Sequence, residues 1–217
     1  MIAFALALLL ALADWVAVAR GSKRFEYVFK PATVVAVIAA ALIITQGPHD
    51  GWQAQWFIPG LGLSLAGDVF LMLPGTRWFL FGLGAFLLAH LAYIVGLNPT
   101  LPPLASVAVL VPVLLAGVLA AAAPVRALRA RHASSIAPVI LYAVAISLML
   151  YSAWATLFRP EWSAIRRALV IAGATLFFVS DALLARNRFV GAFPHARVAT
   201  MITYHLGQMA LAASMAN

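Results

Sequence analysis

The sequence predicts an all-α membrane protein, a bundle of eight transmembrane helices, on three observations. Of its 217 residues 65% are hydrophobic and only 9% are charged, against roughly a quarter charged in soluble proteins. Apolar segments of about 17 to 25 residues recur between short polar breaks, the length a helix needs to cross a bilayer and well beyond that of a barrel strand. The basic residues gather in those breaks, mostly at one end of the segments, as in membrane proteins whose cytoplasmic loops are positive.

The predicted spans are 2–19, 30–46, 57–73, 78–97, 101–123, 134–157, 165–184 and 197–216, together one integral membrane domain over 1–217. The first has its charges, Arg20, Lys23 and Arg24, after the apolar stretch rather than before it, so it reads as a retained helix and not a cleaved signal. The second opens on Lys30-Pro31, proline being tolerated in a first helical turn. The third sets Gly60, Ser64, Gly67 and Asp68 on one stripe, and the fourth sets Gly82, Phe86, His90 and Tyr93 likewise. The fifth is uniformly apolar, and the sixth carries Tyr142. The seventh aligns Gly173, Phe177, Ser180 and Asp181, with Asn187 and Arg188 beyond its end, and the eighth presents Tyr204, His205 and Gln208. Gly67-Asp68 and Ser180-Asp181 occupy the third helix of each half, and a histidine, His90 or His205, follows each. The halves are weakly alike, as two parallel four-helix units would be.

Eleven basic residues fall on one side (Arg20, Lys23, Arg24, Lys30, Arg77, Arg126, Arg129, Arg131, Arg186, Arg188, Arg197) and three, Arg159, Arg166 and Arg167, on the other. This places both termini outside, in a membrane expected to be the bacterial cytoplasmic one. Trp52 and Trp56 at one level and Trp78 at the other fit interfacial belts. The net charge of +8 is accounted for by these loops, so the expected partner is the lipid bilayer and not nucleic acid. Without cysteine there is no disulfide, thiolate site or cysteine nucleophile.

Asp68 and Asp181 carry the functional argument. An ionisable group near a membrane helix centre costs about 2.5 to 3.5 kcal/mol and normally faces a bundle interior or aqueous cavity. At 1.5 Å per residue Asp68 lies roughly 8 Å and Asp181 roughly 5 Å from the basic end of its span, so the two share a layer. Asp14 falls at the same level and reads as an ordinary helix-end carboxylate. The plainer alternative for either aspartate is an interhelical hydrogen bond, or for Asp181 a pairing with Arg188. His90 and His205 with the two aspartates are a conceivable zinc set, but no HxxxH-type spacing supports it. No metal and no cofactor are expected.

In order, Lys30-Pro31, Gly67-Asp68-Val-Phe-Leu, Phe79, Phe86-Leu-Leu-Ala-His90-Leu-Ala-Tyr93, Tyr142, Phe177-Phe-Val-Ser180-Asp181-Ala-Leu-Leu-Ala, Asn187-Arg-Phe189 and Tyr204 with Gln208 resemble the lysoplasmalogenase family of multi-pass membrane hydrolases, also called YhhN-like. The resemblance covers nearly the whole chain. The last helix departs from it, reading Thr203-Tyr204-His205-Leu206-Gly207-Gln208 where the family has a Tyr-Tyr-x-Ala-Gln pattern.

What the resemblance implies is hydrolysis of the vinyl ether bond of a lysophospholipid, giving a fatty aldehyde and glycerophosphocholine or glycerophosphoethanolamine. Asp68 and Asp181 would be catalytic, with Lys30, His90, Tyr142, Ser180, Asn187, Tyr204 and Gln208 binding substrate. Such a bond breaks by protonation of the alkene carbon and capture of the oxocarbenium ion by water, for which a carboxylic acid beside a carboxylate is suited. Asp68 is first assigned as the acid and Asp181 as the base, or the reverse. The tail is expected near Phe86, Phe177 and Phe178, and the phosphate at Lys30, Arg77 or Arg188. A proton-coupled transporter would use the same carboxylates, and remains the competing reading at this point.

Overall fold

The computed structural model describes residues 2–46 and 51–216. Eight α-helices follow one another: α1 (Ile2–Ala19), α2 (Lys23–Ile44), α3 (Gly51–Met72), α4 (Thr76–Leu97), α5 (Val107–Ala130), α6 (Ile136–Ala155), α7 (Ala164–Ala185) and α8 (Ala196–Ala213). There is no strand among the described residues. A short 3-10 turn, Leu104–Ser106, precedes α5, another, Thr156–Phe158, follows α6, and α7 continues through a π turn, Arg186–Val190. Seven of the helices are long and apolar enough to cross a membrane. The exception, α8, owes its lower hydropathy to Arg197 near its start and to Thr200, Tyr204, His205 and Gln208, the last four of which are buried. The chain is an integral membrane protein.

Several helices extend past the expected spans. α2 starts at Lys23, so Pro31 lies inside it and not in its first turn. The charged stretch 23–30 is helical because its polarity is sorted by face: Glu26 and Lys30 are buried, while Arg24, Tyr27 and Val28 are exposed. α3 takes up most of the expected 47–56 connection, of which 47–50 lie outside the described residues. α5 begins later than expected, after Pro102-Pro103, and carries Arg126 and Arg129 in its last turns. The π turn leaves Asp181 farther from its helix end than the sequence suggests.

Apolar side chains provide little drive for association in lipid, so helices meet through small residues that admit close approach. A Cβ on Gly67 would stand 2.6 Å from the Phe86 ring, and one on Gly60 would stand 2.8 Å from Tyr93, which brings α3 against α4. At the α7–α8 contact the backbones themselves touch: a Cβ on Gly207 would lie 3.0 Å from both the Gly173 carbonyl and the Phe177 nitrogen. The pattern of neighbours repeats. α1 packs on α2, α2 on α3, α3 on α4 and α4 on α6; in the second half α5 packs on α6, α6 on α7, α7 on α8 and α8 on α2. The halves part where α1 also reaches α8, while α5 touches α7 and its π turn.

At the end of the bundle away from Lys30, polar ties close the helices. Arg166 donates from Nε and Nη2 to Gln53 Oε1 at 3.1 and 2.8 Å, and Gln53 Nε2 donates to Ser214 Oγ at 2.9 Å. Arg159, buried, donates to the Thr100 hydroxyl and carbonyl, both at 2.8 Å.

Because the backbones of α7 and α8 are in contact at Gly207, Gly207→Val is expected to lower the melting temperature in detergent by the equivalent of about 1 to 3 kcal/mol of overpacking. Gly62 has open space at its Cβ position, so Gly62→Ala is expected to leave stability unchanged or to raise it by up to about 1 kcal/mol. Parallel melts of the two variants check both.

Candidate active site

Lys30 on α2 and Asp68 on α3 form an ion pair, Nζ to Oδ1, at 3.0 Å with both side chains buried. The other carboxylate oxygen of Asp68 accepts from the Tyr204 hydroxyl on α8 at 2.6 Å. Behind that phenol, Gln208 Nε2 donates to the Tyr204 oxygen at 3.3 Å and Tyr93 donates to Gln208 Oε1 at 2.9 Å. Each donor along Tyr93, Gln208 and Tyr204 therefore points toward Asp68, and members of such a chain polarise one another.

Asp181 has different company. Its Oδ2 accepts from the Tyr142 hydroxyl on α6, and His90 Nε2 on α4 stands 3.9 Å away, outside hydrogen-bond range. No lysine or arginine nitrogen is within ion-pair distance of it among the described residues. The His90 ring meets Tyr142 edge-on, with centroids 5.2 Å apart, and Phe177 at 4.8 Å.

Two cavities meet at this carboxylate. A polar one of about 160 Å³ is lined by Lys23, Glu26, Lys30, Asp68, Ser180, Asp181, Asn187, Arg197 and Tyr204, among others. An apolar one of about 70 Å³ runs between α4, α5, α6 and α7, lined by residues including Phe79, Leu83, Gly117, Ile146, Phe178 and Phe189. Leu71, Phe86, Asp181 and Leu184 belong to both. Asp68 and Asp181 thus face one space. The π turn borders both sides of it, with Asn187 at the polar cavity and Arg188 and Phe189 at the apolar one; π turns recur at functional sites.

The other expected residues are distributed as follows. Ser180 borders the polar cavity, but its hydroxyl is taken by the Thr200 carbonyl at 3.0 Å. Gln208 and His90 line neither cavity and stand behind Tyr204 and Asp181. Phe178 borders the apolar cavity, whereas Phe177 is wholly buried in the core beside Tyr204. Arg188 lies over the Phe79 ring at 3.8 Å and Arg77 over Phe81 at 5.4 Å, so neither faces the polar cavity where a phosphate was expected to find it. Asp181 does not pair with Arg188. His205 Nδ1 accepts from Trp15 Nε1 at 3.1 Å, so the two histidines and two aspartates do not converge on a single ligand set.

Three charged residues of the polar cavity were not singled out from the sequence as site residues: Lys23, Glu26 and Arg197. Their signal was the spacing of Lys23, Glu26 and Lys30 at i, i+3 and i+7, one face of a helix, hidden by reading that stretch as a loop. Asp14, expected as a helix-end carboxylate, is instead fully buried, and neither oxygen has a hydrogen-bond partner among the described residues.

The model of the YhhN family matches residues 25–215. Among curated proteins, the chain is 33% identical over 178 residues to a lysoplasmalogenase of Mycobacterium bovis and equally to one of Mycobacterium tuberculosis, covering 78% of this chain and 62% of each relative. It is 32% identical over 156 residues to the lysoplasmalogenase TMEM86B of Sus scrofa, covering 70% of this chain and 59% of that one. The chain thus spans about three fifths of the length of these curated relatives. No solved structure matches it.

The buried Lys30–Asp68 pair makes an energetic prediction. Removing one member of a buried pair leaves an uncompensated charge and costs about 3 to 5 kcal/mol, whereas replacing both with apolar residues is often near neutral. Asp68→Leu is expected to destabilise strongly, and Lys30→Met combined with Asp68→Leu to recover most of the loss, as read by denaturation of the two variants in matched detergent.

Proposed function

The chain belongs to the YhhN family, and from that footing we propose that it hydrolyses the vinyl ether bond of lysoplasmalogens, using Asp68 and Asp181 as an acid and base pair. The observation that carries this is the position of Asp181 at the junction of a polar and an apolar cavity. A lysoplasmalogen changes from glycerol to hydrocarbon at its vinyl ether. A tail in the apolar cavity and a glycerol in the polar one bring that bond to the carboxyl. The names of the curated relatives support the same reaction.

The surroundings of the two aspartates favour the reverse of the first assignment. Asp68, bonded to an ammonium and a phenol, is suited to remain the carboxylate. Asp181, with a phenol but no cation, is suited to hold the proton. Asp181 protonates the alkenyl carbon farther from oxygen, and the resulting oxocarbenium ion is stabilised by the two carboxylates then facing it. Water adds to the carbon bearing oxygen while Asp68 accepts its proton. The hemiacetal then breaks: its hydroxyl proton returns to Asp181, Asp68 protonates the departing glycerol oxygen, and both groups are reset. The products are fatty aldehyde and glycerophosphocholine or glycerophosphoethanolamine. Tyr142 and Tyr204 orient the carboxyls, with Gln208 and His90 behind them. Lys23 and Arg197, at the polar cavity, belong to the set of eleven basic residues. This supports a site opening toward the cytoplasmic leaflet of a bacterial cytoplasmic membrane, with both termini outside.

Purified protein in lipid nanodiscs is expected to release aldehyde from an alkenyl lysophospholipid and none from its saturated alkyl ether. In D2O the aldehyde should carry one deuterium on the carbon next to the carbonyl. Asp181→Asn should lower kcat by at least about a hundredfold, the lower end of what a positioned acid or base contributes. Tyr142→Phe should lower kcat while leaving KM within a factor of about three. Undiminished turnover by Asp181→Asn would remove this mechanism.

A further inference from the structure

The mouth of the polar cavity has a charge arrangement that the hydrolytic step does not use. Lys23, Glu26 and Lys30 descend one face of α2, with Lys23 in the first turn and Glu26 one turn above Lys30, about 6 Å along the axis. Across from them, at the start of α8, Arg197 Nη2 donates to both oxygens of Glu26 at 2.6 Å. Lys23 Nζ lies 3.4 Å from the same carboxylate. Exposure runs in the opposite order to depth: 62% for the Lys23 side chain, 42% for Arg197 and 10% for Glu26. All three line the cavity that Asp68 and Asp181 share.

We propose that Lys23, Glu26 and Arg197 form a subsite for a zwitterionic phosphodiester headgroup, with Lys23 and Arg197 binding the phosphate and Glu26 the ammonium. The assignment rests on reading the cavity as a lysolipid site. Three observations give it its chemistry. Arg197 commits only Nη2 to Glu26, and its Nε and Nη1 have no hydrogen-bond partner among the described residues. They are therefore free to make the paired contact that guanidinium favours with phosphate. The N-terminal turns of α2 and α8 both reach this mouth through Lys23 and Arg197, and a helix N-terminus favours an anion. Lys30 is taken by Asp68, so the phosphate must bind farther out, one helical turn away.

Glu26 then decides which phosphates are accepted. A phosphomonoester, carrying more negative charge and no ammonium, draws Lys23 from the Glu26 carboxylate and brings no cation in its place. A phosphodiester ending in ethanolamine or choline brings a cation to that carboxylate as Lys23 moves to the phosphate. The subsite thus selects for the zwitterion by attraction at one end and repulsion of the alternative at the other.

The test uses three saturated alkyl-ether ligands of equal chain length, which bind without being cleaved: one ending in phosphoethanolamine, one in a phosphate monoester, and one a plain alkylglycerol. Binding to the protein in nanodiscs of uncharged detergent-like lipid should favour the phosphoethanolamine ligand over the monoester by about tenfold or more, the scale of one charge-assisted contact. Glu26→Gln, which keeps an acceptor for Arg197, should erase or invert that preference. Lys23→Gln, at an exposed position, should weaken both phosphate-bearing ligands and leave alkylglycerol unchanged. A wild-type protein that does not rank the three ligands, or variants that shift all three equally, overturns the subsite. Turnover of the matching alkenyl lipids separates this from the hydrolytic reading: headgroup-ranked binding without aldehyde removes the reaction and keeps the subsite, and aldehyde release indifferent to headgroup does the opposite.

Discussion

The buried ion pair between Lys30 and Asp68 is the constraint around which the rest is arranged. Two charges withdrawn from water are expensive, and a close pair in a low-dielectric interior offsets that expense only when its remaining donors and acceptors are satisfied. Here the satisfaction is supplied by a third helix: Tyr204 completes Asp68, and Gln208 and Tyr93 complete Tyr204. α2, α3, α4 and α8 are thereby tied through one polar chain in a bundle otherwise joined by small-residue contacts. The pair therefore contributes position more than stability. It holds an anion facing a cavity at a depth where an anion does not otherwise persist.

The repeated neighbour pattern gives this pair a counterpart. Lys30 on the second helix meets Asp68 on the third; in the other half Tyr142 on the second helix meets Asp181 on the third. The scaffold position is shared and the chemistry is not, because an ammonium in one half is replaced by a phenol in the other. That difference makes the surroundings of the two carboxylates unequal, as the proposed division into acid and base requires. Two identical aspartates in identical surroundings would have no basis for dividing the roles.

The cavities add the second asymmetry, between polar and apolar, and Asp181 stands where they join. An amphiphile is aligned by such a boundary without any contact to its reacting atoms, since each end of the molecule is excluded from the wrong cavity. The π turn after α7 lies on this boundary, with Asn187 on the polar side and Arg188 and Phe189 on the apolar side.

The all-α membrane architecture could be read directly from the sequence because apolar segment length and the near absence of charge are composition-level properties that bilayer thickness enforces on any chain. The singling out of Asp68 and Asp181 came from the same source, since a carboxylate in hydrocarbon is conspicuous whatever its neighbours. Glu26, Lys23 and Arg197 were not conspicuous: near a membrane surface charges are ordinary, and only the folded helices bring residues 23, 26 and 197 to one cavity mouth. Lys30, Tyr142 and Tyr204 were picked out in the sequence as site residues, but which aspartate each one meets was not legible, since Lys30 and Tyr204 are remote from Asp68 in sequence and a hydrogen bond depends on ångström-scale placement that hydropathy does not encode. Asp14 is the clearest case, a helix-end charge by position and a buried one by packing. The sequence by itself determined which medium the chain occupies and which charges are out of place in it. Which of those charges meet, and which half of the pair keeps a cation, was decided by helix packing, because electrostatic roles follow from distances that exist only after the helices have closed.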